Sequence, residues 1–449
     1  MKEFTRLALA TTCLAFASSN AAVAAEGTDA QWKFSGTVRV RYETIDDQVR
    51  PNFNTQDDLW SVRTTLAAER RQGPLTLFAE MYDSRVYGAD RRSPIGTNEV
   101  NTAELVQAYA ALKLDGQALG PVTLQAGRFM LNIGSRRLVA ADDYRNTTNG
   151  YTGVRVDMAP AGVKTTLIYV MPQVRRPGDM ESLLDNRQYP DTENDDLVVW
   201  GGVAARPKTI GKATLEGEFF HFEEHDGPNG PTRDRNLDTF GARVILDPTV
   251  AAWDYEVEMI GQTGTVSRGV AATDPTLDVR AGFVHADVGY TQNSSWKPRL
   301  SAEFDYASGD KPGGKYGRFD TLLGMRRADF GPSGIYAAIG RANIITPGVR
   351  LEVAPNKRLD AFASYRAMWL ASDTDSFTTT SVRDATGASG DFAGHQIEGR
   401  VRYWAIKDRL RLEANALLLT KGRFLQDAPN APKNGENSGY LALSAITQF

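Results

Sequence analysis

Residues 32–43 read WKFSGTVRVRYE. Trp32, Phe34, Gly36, Val38, Val40 and Tyr42 share one parity, and Lys33, Ser35, Thr37, Arg39, Arg41 and Glu43 the other. Successive side chains of a strand point to opposite faces, so the stretch predicts a strand with one greasy face and one charged face. Alternation by itself fits any half-buried strand. The fold turns on what covers the greasy face, a protein core or lipid.

The pattern recurs to the end of the chain. Residues 59–70, 253–262, 298–306, 396–403 and 410–418 alternate clearly. Weaker alternation marks 75–82, 104–114, 122–129, 154–158, 163–171, 197–205, 213–222, 239–246, 279–290, 349–354, 359–370 and 440–449. Together these predict about 18 strands. Their connections are unequal. Turns such as 71–74, 159–162, 247–252, 355–358 and 406–408 are short, whereas 44–58, 84–103, 131–150, 172–195, 223–236, 308–343, 372–393 and 421–439 are long and polar. Short turns on one side, long loops on the other and an even strand count are the traits of an outer-membrane barrel.

The bulk composition is compatible with this. Of 449 residues, 41% are hydrophobic and 24% charged, with mean hydropathy −0.37. No apolar run of about 18 residues predicts a spanning helix. A spanning barrel alternates apolar-out with polar-in, so its average resembles that of a water-soluble chain. Two stacked sheets could alternate too, but so many consecutive strands would leave edges to protect, whereas a meander closes on itself. In lipid only helices and closed barrels satisfy every backbone hydrogen bond. Trp32, Tyr42, Trp60, Trp253, Tyr306, Trp369 and Tyr403 fall toward strand ends, as an aromatic girdle would. The predicted fold is therefore an all-β, closed, antiparallel transmembrane barrel over residues 25–449. Its short turns would be periplasmic and its long loops extracellular.

Residues 1–24 have a basic start, an apolar middle and an Ala22-Val23-Ala24 end, the pattern of a secretory signal peptide. The single cysteine, Cys13, falls within it, so a disulfide scaffold or thiolate metal site is not expected. Without this segment, 49 Lys and Arg stand against 54 Asp and Glu, which argues against a nucleic-acid partner. The last strand ends in Phe449, and such a terminal aromatic points to recognition by the outer-membrane assembly machinery.

Three stretches carry a family resemblance. GRFMLNIGSRRLV at 127–139, followed by Asp143-Tyr144-Arg145-Asn146-Thr147, resembles a region of the alginate-export outer-membrane porins. So do FDYASGD at 304–310 with RFDTLL at 318–323, and Arg341-Ala342-Asn343-Ile344. Phe129 replaces an expected polar residue, and Tyr144 an expected Trp. The resemblance implies an 18-stranded channel passing acidic polysaccharide or related anions.

Placing the strands around a circle gives a candidate site. Lys33, Arg39, Arg41, Arg63, Arg400, Arg402 and Arg411 fall in one arc. Glu216, Glu218, Asp254, Glu256, Glu258, Glu303 and Asp305 fall roughly opposite. Arg128, Arg136, Arg137, Arg145 and Arg155 form a second basic group around the loop 131–150. Guanidinium groups bind carboxylates through paired hydrogen bonds, so the basic arc is a candidate track for an acidic saccharide or small anionic solute. Each arginine could equally pair with a carboxylate to fix strand register. The stretch 308–343 is expected either to enter the lumen or to cap it.

Other chemistries find little support. His221-Phe222-Glu223-Glu224-His225 matches H-x-x-E-H, but on a strand its histidines would lie about 13 Å apart rather than on one helix face. Gly309–Tyr316 matches GxxxxGK but has Tyr316 where Ser or Thr should bind magnesium. The acidic loops 191–196 and 226–238 lack EF-hand spacing. No cofactor, metal or catalytic residue is expected. A lipid-acting barrel enzyme would need His221, His225, His285 or His395 beside a nucleophile. A structural or adhesive barrel with a blocked lumen is the other alternative.

Overall fold

The computed structural model describes residues 31–228, 230–326 and 329–449; the predicted signal peptide lies outside them. Eighteen antiparallel strands close into one barrel. They are β1 (Gln31–Asp46), β2 (Asp57–Gln72), β3 (Leu75–Tyr87), β4 (Asn101–Asp115), β5 (Pro121–Phe129) and β6 (Tyr151–Met158). Next come β7 (Lys164–Pro172), β8 (Leu197–Ile210), β9 (Ala213–Glu224), β10 (Asn236–Leu246), β11 (Ala252–Ser267) and β12 (Thr276–Thr291). The last six are β13 (Arg299–Ala307), β14 (Ile344–Asn356), β15 (Leu359–Trp369), β16 (Phe392–Ile406), β17 (Leu410–Lys421) and β18 (Asn437–Gln448).

Each strand pairs with its neighbours in sequence, and β18 returns to β1 from Thr37↔Gln448 to Asp46↔Gly439. Closure is completed at the terminus, where Gly36 and Phe449 exchange backbone hydrogen bonds of 3.0 and 3.1 Å. Gly36 is needed there. A Cβ would meet the Phe449 ring at 2.5 Å and the Thr65 carbonyl at 2.7 Å.

Burial is inverted relative to a protein in water. Trp32 and Phe34 are 57% and 67% exposed, while Arg39 and Arg41 on the opposite parity are 2% and 3% exposed. The same holds around the ring: Leu66, Met81, Val154, Met259, Leu300 and Val401 are exposed, and Ser61, Asp254, Glu258, Asp305 and Glu398 are buried. An apolar exterior over a polar interior, with no sheet edge left open, is the arrangement lipid requires. The long loops all lie at one end, and the turns at the other are tight.

The interior is not uniform. At the turn end both faces of the strands are accessible, as in the opening of β1 and the close of β4. Toward the loop end the inner wall is buried under two loops, 130–150 and 308–343. Phe129, Leu131, Leu138 and Val139 join Phe319, Phe330, Ile335 and Tyr336 in an apolar core inside the barrel.

Candidate functional site

The loop 130–150 leaves β5, crosses the lumen and returns to β6. One part rests on the β1–β2 wall, held by its own backbone oxygens. Arg39 donates to the carbonyls of Tyr144 at 3.1 Å and Arg145 at 2.5 Å, and to Asn146 Oδ1 at 3.2 Å. Arg41 donates to the Tyr144 carbonyl at 2.9 Å, with its guanidinium 4.2 Å from that ring's centroid. Arg63 donates to the carbonyls of Asp143 and Arg145 at 3.2 and 3.1 Å. The fork of each guanidinium suits a row of carbonyls that converge in one turn. The Tyr144 hydroxyl lies 3.2 Å from that of Tyr440, which in turn donates to Glu43 at 2.6 Å.

The other part of the loop meets the opposite wall with the opposite polarity. Arg137 donates to Glu256 at 2.5 Å, to Glu258 at 2.6 Å and to both oxygens of Asp329 at 3.0 Å. Gly134 sits so close to β9 that a Cβ would lie 3.0 Å from Glu216 and 3.2 Å from Glu218. Arg243 ties Glu216 to Glu256 at 3.1 Å each. β1 and β11 lie on opposite sides of the ring. The loop therefore spans the lumen with carbonyls toward the basic wall and a guanidinium toward the acidic wall. The reverse orientation would set carbonyls against carboxylates and bury arginines against arginines.

The second loop, 308–343, packs against the first and against the wall. The Ile335 N–H donates to Glu43 at 3.4 Å, the Ile335 carbonyl accepts from Arg50 at 2.6 Å, and the Tyr336 hydroxyl donates to Gln396 at 2.8 Å. Asp329 also accepts from Arg341, and its carbonyl from Arg366. Arg366 in turn pairs with Glu303 at 3.4 Å and Asp305 at 3.7 Å, and Asp305 accepts from His285 Nδ1 at 2.7 Å.

The predicted site residues fall into three groups. Arg39, Arg41 and Arg63 lie on the inner face as expected. Arg39 and Arg41 do not face water, however, but are covered by residues 143–146, whose carbonyls offer them acceptors in place of water, and Arg63 is half-covered by the same turn. Arg137, Arg145 and Arg128 are likewise engaged: Arg145 with Asp142 at 2.7 Å, Arg128 with Glu104 at 2.8 Å and Glu193 at 2.7 Å. Arg155 pairs with Asp157 at 2.8 Å on its own strand, and Asp254 with Arg299 at 2.9 Å.

The third group lies toward the turn end. Lys33 is exposed. Arg402 and Arg400 share Asp360 at 2.8 and 3.5 Å, and Arg411 lies 3.9 Å from Glu413. The side chains of Arg402 and Arg411 keep 33% and 29% exposure. Arg136 is exposed on the crossing loop and, among the described residues, has no side-chain partner. The connecting roles of Arg243, Arg366 and Asp329 have no local sequence signal, since their partners lie 12 or more positions away on other elements. His221, on the outward side of β9, lies 2.8 Å from Asp238 and 3.8 Å from Glu223, and His225, just past the strand, lies 2.9 Å from Glu223.

Titration is perturbed in the loops. Glu99, in the loop 88–100, is pushed up to about 7, first by burial and then by the nearby Glu43 carboxylate. Its Oε2 accepts the Gly96 N–H at 2.9 Å, and its carbonyl accepts from Asn146 of the crossing loop at 2.8 Å. Asp191, in the loop after β7, is raised to about 6, chiefly by burial and then by Glu104.

A closed 18-stranded barrel with an apolar belt, tight turns at one end and loops folded into its lumen has the architecture of an outer-membrane porin. Solved structures share that fold. OpdK of Pseudomonas aeruginosa superposes with a TM-score of 0.58 at 11% identity, over 93% of this chain and 98% of that one, and has also been solved with vanillate. A BenF-like porin from Pseudomonas fluorescens Pf-5 gives 0.58 at 12%, over 93% and 99%. OccK2 (OpdF) of Pseudomonas aeruginosa in complex with glucuronate gives 0.56 at 12%, over 93% and 98%. No curated protein sequence matches this one. Residues 30–438 match the family described as alginate export, and the chain belongs to that family. Its place is the bacterial outer membrane.

Proposed function

We infer that this porin passes small carboxylate-bearing solutes, saccharide acids foremost, by diffusion along an arginine track. The observation that carries this reading is Arg136, an exposed guanidinium without a side-chain partner among the described residues, on the loop that narrows the lumen. Elsewhere in the lumen, on the accessible part of the wall, Arg400, Arg402 and Arg411 face Asp360 and Glu413. A low-dielectric wall focuses the field of such groups onto a passing anion. Guanidinium pairs with carboxylate in a fixed, reversible geometry, which suits stepwise transfer. Vanillate and glucuronate, present in the structures of OpdK and OccK2, two barrels of the same fold, both carry a carboxylate.

Export of an alginate-like polyuronate is the second reading, favoured by the family match. It requires loops 130–150 and 308–343 to withdraw, since a polymer needs more width than a single sugar.

Reversal potentials in planar bilayers test the first reading. The wild type should prefer anions, and changing Arg136, Arg402 and Arg411 together to glutamine should move the permeability ratio toward unity. Unchanged anion preference would discard the track. Liposome swelling with glucuronate and with uronate oligomers separates the two cargoes. A barrel that conducts nothing even after deletion of the two loops would be a structural one.

A further inference from the structure

We propose that the outer surface of β10–β13 binds one phosphate-bearing acyl lipid of the outer leaflet. The site joins an apolar dent to a guanidinium at its upper edge that has no partner among the described residues. It is independent of what passes through the lumen.

The register sets the site. Across β9 to β12, the outward residues His221, Asp238, Thr263 and Arg280 lie side by side in one row. The next outward rung toward the turn end contains Phe240, Gly261 and Gly282, and the one after that Ala242, Met259, Val284 and Tyr306. Two glycines side by side remove the side chains that elsewhere form the belt. The result is a depression of about 400 Å³, walled by Phe240, Met259, Val284 and Tyr306, with Gly261 and Gly282 in its floor. That is within the range of about 300–1,000 Å³ typical of small-ligand clefts. The dent opens onto the surface that meets acyl chains, so an acyl chain is its natural occupant.

The polar row marks the upper border of the belt. Below it the outward residues are apolar; above it stand Asp278 and Glu223. Along that border the neighbouring side chains are already engaged: Asp238 is hydrogen-bonded to His221 at 2.8 Å, and Asp278 pairs with Lys315 at 3.6 Å. Arg280 is exposed and, among the described residues, its guanidinium has no partner. A cation at the headgroup level attracts phosphate, and guanidinium matches phosphate oxygens with two parallel hydrogen bonds. Neither the dent nor the arginine alone would select a lipid. An acyl chain in the dent, however, brings its own phosphate to Arg280, and Thr263, beside Arg280 on β11, adds a hydroxyl.

The test is native mass spectrometry of the full chain in detergent, titrated with dimyristoyl phosphatidic acid. The arms are dimyristoylglycerol, which lacks the phosphate, and inorganic phosphate, which lacks the chains. Gly282→Leu fills the dent; a Cβ there meets only the Ile260 carbonyl at 3.4 Å, so the barrel should fold. Arg280→Gln removes the charge without touching the wall. One phosphatidic acid should bind the wild type, and each variant should weaken it about tenfold or more. Val401→Leu, outward on distant β16, should leave binding unchanged. Equal affinity in wild type and both variants would overturn the proposal. So would dimyristoylglycerol binding as well as phosphatidic acid, or phosphate alone binding as tightly.

Discussion

Replacing Arg137 by glutamine should release the crossing loop from the acidic wall without unfolding the barrel. Arg137 has three carboxylate partners, and they would not be affected equally. Glu256 keeps Arg243 at 3.1 Å, and Asp329 keeps Arg341. Glu258 keeps nothing of comparable strength. It is fully buried, its Oε2 is held by Arg137 at 2.6 Å, and its Oε1 has no hydrogen-bond partner. Removing one member of a buried ion pair costs about 3–5 kcal/mol, because the remaining charge stays desolvated. The cheapest relief is for the loop to lift and let water reach Glu258. A bias of about 3 kcal/mol is roughly a hundredfold in population, which moves the loop from almost always seated to frequently raised. Single-channel recording reads this directly, as a larger mean conductance with added open-channel noise. The double variant Arg137→Gln with Glu258→Gln should recover much of the quiet, smaller conductance, since no orphan charge remains. A coupling energy near zero between the two positions, or a single variant identical to wild type, would refute the reasoning.

Two further outcomes follow from other parts of the structure. Glu99 holds its proton more tightly when the loop 88–100 is packed, at about 7 against an ordinary 4.5. The packed loop is therefore fully favoured below about 4.5 and loses about 3 kcal/mol as pH rises through 7; amide exchange in 88–100 should accelerate from pH 5 to 8 relative to Glu99→Gln, and parallel profiles would reject this. Gly36→Leu should weaken barrel closure by about 1–3 kcal/mol, as overpacking does, seen as a lower temperature of unfolding on unboiled gels, with no change expected for Val401→Leu.

Most of the barrel is legible in the sequence because a strand with lipid on one side and water on the other must alternate strictly. All 18 predicted strands are present, including faint ones such as 349–354. That strand begins earlier, at Ile344, where Thr346-Pro347-Gly348 obscured it. The extension of β8 to Ile210 went unread because Arg206, Pro207 and Lys208 break the alternation near the turn. The site was less legible. Strand parity placed Arg39, Arg41 and Arg63 on the inner face, but their acceptors are main-chain carbonyls 80 or more positions away. Carbonyls look alike in every residue, so no composition or spacing announces them. The pairing of Arg137 with Glu256 and Glu258 is similarly remote, and only the closed ring brings β11 to face a loop that leaves β5.

The crossing loop also has a mechanical consequence. A tube with a wall one strand thick resists stretching around its circumference, because that would break the ladder, but it flattens readily into an ellipse under lateral pressure. A beam bolted to both sides, by arginine forks at one end and a carboxylate clamp at the other, fixes the diameter along its own axis. Loosening either joint should therefore soften the whole cylinder, including strands that touch neither end of the beam.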